Sequence, residues 1–476
     1  MPRTQNLSPC PIPLPCSPLA RRWKIPPSEA TETSPPSKPR ERLDGQKGSP
    51  RRPASRVGSM GSVIHLSRTN REWLKDHSRK APRSDGRVAL VLGGGGITGA
   101  AYHLGVLNAM NAMGARAGVN DFDLYVGTSA GAVVAACLAN GITPEDLILA
   151  NIGHGSAAFR GIGADEVLMP DRRGIVSSMV RWPLSVVGAL RRYIGHPFTT
   201  GLIDGLGALA EGLPAAIYTT DGTERYLRAL LSGDGFTNNF RATKRKLLIT
   251  ATDLDSAQRV VFGEEGVDDI PISEAAAAST AIPLLYAPRE INDRVYLDGG
   301  LRSTTSIEVA IAHGAKLVVC INPLVPYVHD VRYLLPTSTG LPSHHIAEKG
   351  FPHIAAQSFR IMAQAQVEKE LEVITHAHPD VDIILIEPRR DDEHLFVFNL
   401  MDYGSRERIA RHAFESVAID LVTRFPEYEK VLGRHGIKLS RDRLIDQLQS
   451  IVEGAEPRFY GTEDPLEVDT GIERDL

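Results

Sequence analysis

Two glycine-rich turns, each entered from a short apolar strand and left into a helix, constrain this chain more than any other feature. Val88-Ala89-Leu90-Val91-Leu92 has the length and branching of a buried parallel strand. It runs into Gly93-Gly94-Gly95-Gly96, then Ile97-Thr98-Gly99, and then residues 100–110, whose apolar side chains recur at helical spacing. About thirty residues downstream, Leu124-Tyr125-Val126 enters the second turn, Gly127-Thr128-Ser129-Ala130-Gly131. Strand, glycine loop, helix and second strand make a βαβ unit, which demands a parallel pair and a right-handed crossover. The fold class is therefore α/β.

Both turns carry chemistry. In the second, one serine stands between two glycines directly after a strand, the pattern of a nucleophile elbow. A serine hydroxyl is a weak nucleophile until a base takes its proton, and a sharp strand-to-helix turn holds it beside such a base. Gly127 and Gly131 permit that turn, since a Cβ at either position would collide with adjacent elements. The same five residues also read as an ordinary glycine-rich turn. In the first turn, N–H groups at the head of the helix lack intrahelical partners and sit at the positive end of its dipole, where they stabilise an anion. Gly94-x-Gly96-x-x-Gly99 spells a dinucleotide fingerprint as well, but that reading needs an acidic residue closing the second strand. The strand closes in Gly127-Thr128-Ser129, and Asp121 and Asp123 precede it, at the wrong end of the sheet. The loop of Gly94, Gly95, Gly96 and Gly99 is therefore assigned to an oxyanion hole, with the N–H groups near Gly95 and Gly96 aimed at the charge that develops in acyl transfer.

A serine hydrolase needs a general base, and the usual expectation is a histidine oriented by a carboxylate. The chain has 15 histidines. Of those after the serine, His313, His344, His345, His353, His376, His378 and His412 show no strand-to-loop context with a partner acid. Asp298 is the better candidate: Arg294-Val295-Tyr296-Leu297 reads as a strand that delivers it to a turn at Gly299-Gly300. Taken alone, Asp-Gly-Gly is also a plain turn.

The three pieces together resemble the patatin-like phospholipase family: a glycine-rich loop, a Gly-x-Ser-x-Gly elbow some thirty residues later, and an Asp-Gly-Gly far downstream. The resemblance runs from about Arg87 to Leu301. Thr250-Ala251-Thr252-Asp253-Leu254 with Val260-Val261-Phe262 is similar to the family's strand pair, and Ala278-Ser279-Thr280-Ala281-Ile282-Pro283 to the segment before its aspartate. It implies a three-layer α/β sandwich with a central, mostly parallel sheet, and a Ser-Asp dyad without histidine. Carried over, Ser129 is the nucleophile and Asp298 the base. The implied substrate is a lipid acyl ester, hydrolysed through an acyl-enzyme without metal or other cofactor. Thr98 departs from the pattern, standing where family members often carry Arg or Lys. A Ser-Asp dyad is demanding, because a carboxyl titrating near its ordinary value of about 4 is a weak base for a hydroxyl; burial has to raise it. Two other classes stay open: a lipid-binding protein that keeps the fold without catalysis, and a nucleotide-binding oxidoreductase using the glycine loop.

Outside this region, residues 1–83 are expected to be a disordered, basic, proline-rich tail. The first sixty residues hold 13 of the 32 prolines, with 11 Lys or Arg against 4 Asp or Glu, and cannot bury enough apolar surface to offset ordering. No continuous apolar core follows its charges, so it is not a secretory signal, and Met60 is a candidate start. Removing the tail's formal +7 from the total of −4 leaves −11, which argues against nucleic acid as a partner of the folded part. The catalytic region is expected over 84–325 with an insertion at about 153–235, followed by a C-terminal α/β extension over 326–452 packed on it and an acidic tail over 453–476. Cys137 and Cys320 are expected to be buried thiols, which with the lack of a disulfide framework suits the cytoplasm. Nothing reaches the roughly eighteen apolar residues of a membrane span. Within the insertion, Arg172-Arg173, an apolar stretch with Arg181-Trp182, and Arg191-Arg192-Tyr193 admit two readings: a segment in peripheral contact with a membrane, or a pair of helices broken at Pro183 and packed on the domain. Residues 327–348 are expected to be a loop that covers the site. Oligomeric state is not legible.

Overall fold

Alternation of side chains along one strand sorts the whole molecule. In β2 (Arg87–Leu92), Leu90 and Leu92 face one apolar layer while Ala89 and Val91 face the other, so the strand is buried on both sides. The computed structural model describes residues 63–65, 86–114, 118–151, 160–195, 214–335, 343–396 and 400–452. All of these fall within the unit Val57–Leu476; Met1–Arg56 is a separate unit outside the described residues.

With β1 (Val63–His65), β3 (Leu124–Thr128), β4 (Lys246–Asp253), β5 (Arg259–Phe262), β6 (Arg289–Ile291), β7 (Arg294–Asp298), β8 (Ala315–Ile321) and β9 (Asp382–Ile386), the described strands form one sheet in the order β1-β9-β8-β2-β3-β4-β7-β6, with β5 also on β4. Every pair from β1 to β4 is parallel; β7 on β4, β6 on β7 and β5 on β4 are antiparallel. Helices cover both faces. On one lie α1 (Gly96–Met113), α2 (Ala130–Ala139) and the helix Arg406–Thr423; on the other lie Ile307–Ala312 and Phe351–Ala377. The molecule is a three-layer α/β sandwich with a mostly parallel central sheet. Cys137 and Cys320 are buried free thiols, and burial pushes the Cys137 thiol up to about 12.

Three segments depart from the sequence reading. Val63–His65, placed in the tail, pairs in parallel with β9; three residues are too few to show a period. The stretch expected as an added extension contributes β9, a strand inside the sheet beside β8, so its helices share the layers of the catalytic region. The helix Arg172–Gly195 runs unbroken through Pro183. Proline there removes one hydrogen bond, a cost a solvent-facing helix tolerates by bending. Among the described residues no helix is long and apolar enough to cross a membrane, and no group of three or more His, Cys, Asp or Glu is placed to hold a metal ion. The acidic tail, Met60 and most of the basic tail lie outside the described residues.

Candidate active site

Strand register brings the two turns together. Thr128, the last residue of β3, pairs with Thr250 of β4, and the next residue of β4, Ala251, pairs with Asp298 at the end of β7. Ser129 and Asp298 thus stand at the same level on either side of β4, roughly 10 Å apart at Cα by strand spacing, with two side chains to close the gap.

Ser129 has φ 54° and ψ −125°, a conformation that L-residues avoid unless their surroundings enforce it. Here they do. A Cβ at Gly131 would fall onto the Leu92 carbonyl and one at Gly127 onto the backbone of Ala132, so only glycines let β2, β3 and α2 approach this closely. The Ser129 N–H donates to Ser279 Oγ (2.8 Å), Ser279 Oγ donates to the Thr250 carbonyl (2.7 Å), and the Thr128 and Thr250 hydroxyls share a 2.7 Å hydrogen bond. Ser279 and Thr250 hold the turn, and they lie in segments that matched by resemblance alone; a buried serine in an alanine-rich helix was the signal for the first.

Asp298 is fixed just as firmly. Its N–H donates to the Ala281 carbonyl (2.9 Å) and its carbonyl accepts from Thr252 Oγ1 (3.0 Å). Asp298 Oδ1 accepts from the Gly300 N–H at 2.7 Å, which gives Gly300 its place, and Gly299 leaves room for the Thr250 backbone. Asp298 Oδ2 is buried and has no hydrogen-bond partner among the described residues. Burial pushes the carboxyl up to about 6, against the opposing pull of the Ser129 hydroxyl and the Gly300 N–H. The serine is thus near enough to favour the carboxylate, without the geometry of a formed hydrogen bond.

The glycine loop divides the amides. The Gly94 N–H donates to the Thr304 carbonyl (3.0 Å) and the Gly99 N–H to the Gly95 carbonyl (2.9 Å), so these two are spent on structure. The N–H groups of Gly95 and Gly96 donate to no described residue. Gly96 has φ 63°, the left-handed turn that starts α1, and Gly94 lies against Ser129 Cβ. Thr98 Oγ1 faces the carbonyls of Leu400 (3.4 Å) and Gly95 (3.5 Å), tying the loop to the C-terminal half of the chain. Two titratable groups brace this region unannounced by the sequence. His103 in α1, fully buried, is 2.8 Å from the Gly93 carbonyl through Nε2, and burial lowers its pKa to about 4, so it donates as a neutral ring. Its signal in the sequence is a polar residue interrupting an apolar helical run. Glu370 accepts from Ser303 Oγ, Thr305 Oγ1 and the Glu308 N–H at 2.9, 2.9 and 3.1 Å, holding the segment that carries Thr304.

Ser129 opens on a cavity of about 250 Å³ that runs between α1, α2 and the helix Arg406–Thr423, walled by Ile97, Val133, Val134, Ile162 and Tyr286 among others. Among the described residues no histidine lines it. His412 does have a partner acid, Asp392 at 2.6 Å, and His313 has Glu264 at 3.4 Å, contrary to expectation, but both stand outside the cavity. Nor does any described residue of 327–348 line it.

The fold and site define an α/β sandwich protein with a strand–serine–helix turn set against a buried aspartate at an apolar cavity. Residues 90–311 match the family described as Patatin-like phospholipase. The chain is 23% identical over 230 residues to the protein named Probable lipid hydrolase 463L of Invertebrate iridescent virus 6, a match that spans 48% of this chain and 64% of the viral protein. Among solved structures, it is similar to VipD from Legionella pneumophila (14% identity, 80% of this chain and 85% of that one, TM-score 0.26). It is also similar to the type III effector protein ExoU, known from Pseudomonas aeruginosa (16% identity, 72% and 54%, TM-score 0.29).

Proposed function

We propose that the protein is a lipid acyl hydrolase, of phospholipase or lysophospholipase type, that works through a Ser129–Asp298 dyad. The observation that carries this reading is a strained serine that opens on an apolar cavity lined by no described histidine, with a desolvated carboxylate behind it whose Oδ2 has no partner among the described residues. Asp298 Oδ2 accepts the Ser129 proton as Oγ attacks the ester carbonyl. The carbonyl oxygen takes the electron pair and is met by the Gly95 and Gly96 N–H groups at the head of α1. Collapse expels the alcohol, which takes the proton from Asp298, and leaves an acyl-Ser129 ester. A water that gives its proton to Asp298 then attacks that ester; the C–Oγ bond breaks, Ser129 Oγ takes that proton from Asp298, and the fatty acid is freed. The acyl chain lies along the apolar cavity in both steps.

A lipid surface is the partner that fits the insertion. The helix Arg172–Gly195 carries five arginines and no acid, and turns Val176, Met179, Val180, Leu184 and Val187 to solvent, with Met179 and Leu184 each 70% exposed. Its root is joined to the cavity wall: the Asp171 N–H donates to the Ile217 carbonyl, and Tyr218 N–H to the Leu285 carbonyl beside Tyr286.

The test is hydrolysis of a soluble acyl ester and labelling by a fluorophosphonate, with wild type, Ser129→Ala and Asp298→Asn. Wild type is expected to label and turn over; each variant is expected to lose at least about 10³-fold in kcat. An unlabelled wild type would return the protein to the lipid-binding class. Full activity in Asp298→Asn would remove the dyad.

A further inference from the structure

A buried cation without a counter-charge among the described residues stands behind the glycine loop. Arg360, on the helix Phe351–Ala377, is only 6% exposed. It donates no hydrogen bond to a described residue, its Nε is buried without a partner, and no carboxylate is paired with it. Its guanidinium packs on the Phe396 ring, 4.8 Å from the guanidinium carbon to the centroid. Burial alone lowers its pKa to about 10, so the group is still charged at neutral pH. Among the described residues Arg360 is the one arginine buried outright; the half-buried Arg434, at the far end of β9, has Asp382.

The position is doubly unfavourable in the resting protein. A desolvated, unpaired charge costs several kcal/mol. Arg360 also lines, with Gly95, Thr98 and Gly99, a small cavity against the first turn of α1, where the helix dipole is positive and repels a cation. That cavity is about 20 Å³, space for one water and too small for a phosphate or carboxylate. No bound anion can therefore relieve the charge from this side. The other side of the same turn, through Gly96, Ile97 and Ala100, faces the cavity of Ser129.

Resting on the Ser129 reading above, we propose that Arg360 is an electrostatic positioning residue for the reaction: its missing counter-charge is the oxyanion that forms at the Gly95 and Gly96 N–H groups. The guanidinium touches neither substrate nor serine. It acts across one layer of backbone, keeping the amides of the loop in a positive field that is repulsive in the resting state and complementary in the transition state. No proton or bond changes at Arg360.

The test compares Arg360→Met and Arg360→Lys in the full chain, using the soluble ester, a trifluoromethyl ketone that forms a tetrahedral anion with a serine, and thermal melting. Arg360→Met is expected to lower kcat about tenfold with KM nearly unchanged, the size of one charge acting through a layer of backbone and not by contact. It is expected to weaken the ketone by a similar factor and to melt at or above the wild-type temperature, because a packed apolar side chain replaces an unpaired charge. Arg360→Lys is expected to recover most of kcat. A variant Arg360→Met that melts lower and loses kcat and KM together makes Arg360 a packing residue and overturns the proposal; so does unchanged kcat. If Ser129→Ala retains activity, the reading of the site fails first, and independently of Arg360.

Discussion

The two halves of the site are delivered by opposite strand directions. Ser129 leaves the end of β3 within the parallel half of the sheet, where strands finish together at the edge that opens on the cavity. Asp298 arrives on β7, which runs antiparallel to β4, starts at that edge and descends for three paired residues, Tyr296, Leu297 and Asp298. It stops level with the serine. A serine placed by where a strand ends faces a cavity; a carboxylate placed by where a descending strand stops has sheet on its flank and is buried. Direction of delivery is therefore the physical origin of the desolvation that raises the Asp298 carboxyl.

The largest expected effect tests whether the halves act as a unit. If Ser129→Ala and Asp298→Asn each cost at least about 10³-fold in kcat, the double variant should cost no more than either, since a base without its nucleophile has nothing to do. Multiplying losses, measured by steady-state hydrolysis of a soluble ester, would mean that two residues serve separate steps. Stability should move the other way. Asp298 titrates higher in the folded chain than an ordinary aspartate, so its contribution is present below about pH 4 and is lost as the pH rises through about 6. Asp298→Asn lacks that loss and keeps an oxygen for the Gly300 N–H, so at pH 8 it should melt at or above wild type. A lower melting temperature would count against desolvation as the cause.

The parallel half was the legible one. Apolar runs at residues 88–92 and 124–126, each closing on glycine, carry strand, turn and helix in consecutive residues, and the elbow followed from sequence order alone. Asp298 was found by its Asp-Gly-Gly turn and the family resemblance, because register across β4 joins residues more than a hundred apart and leaves no local pattern. For the same reason Val63–His65 read as tail: its partner, β9, lies more than three hundred residues away. The division of amides in the glycine loop was illegible too. Gly94 and Gly99 look equivalent to Gly95 and Gly96 until Thr304 and the helix claim their N–H groups. His103, Glu370 and Arg360 were missed because a buried polar residue on a helix shows only as an interruption of an apolar face, and what satisfies it, or fails to, is decided by tertiary contacts.

A pH profile separates the halves at smaller scale. Only the ionised Asp298 accepts a proton, so kcat/KM should be full above about pH 6 and fall tenfold per unit below it. Among the described residues no histidine lines the cavity, and the acid limb should keep its midpoint in His412→Gln and His313→Gln. A midpoint that moves with either substitution would give the base role to that histidine.

The smallest effects come from the two braces, one behind each half and both held neutral by burial. His103 supports the Gly93 carbonyl on the serine side. Its pKa is lowered to about 4, so its contribution is present above the ordinary imidazole value and is lost as the pH falls through about 4. Glu370 supports Ser303, Thr305 and Glu308 on the carboxylate side. Burial and the neighbouring Glu308 carboxylate raise it to about 8, so its contribution is present below the ordinary carboxyl value and is lost as the pH rises through about 8. Glutamine in place of either keeps an amide that hydrogen-bonds without titrating. His103→Gln should therefore flatten the loss of melting temperature on the acid side, and Glu370→Gln the loss on the alkaline side, each by about 2–4 °C between pH 7 and the affected limit. Exchange of the two effects is excluded by their signs. If Glu370→Gln leaves the alkaline slope unchanged, the carboxyl is ionised in the native state, and the segment around Thr304 is held by charge and not by a buried neutral acid.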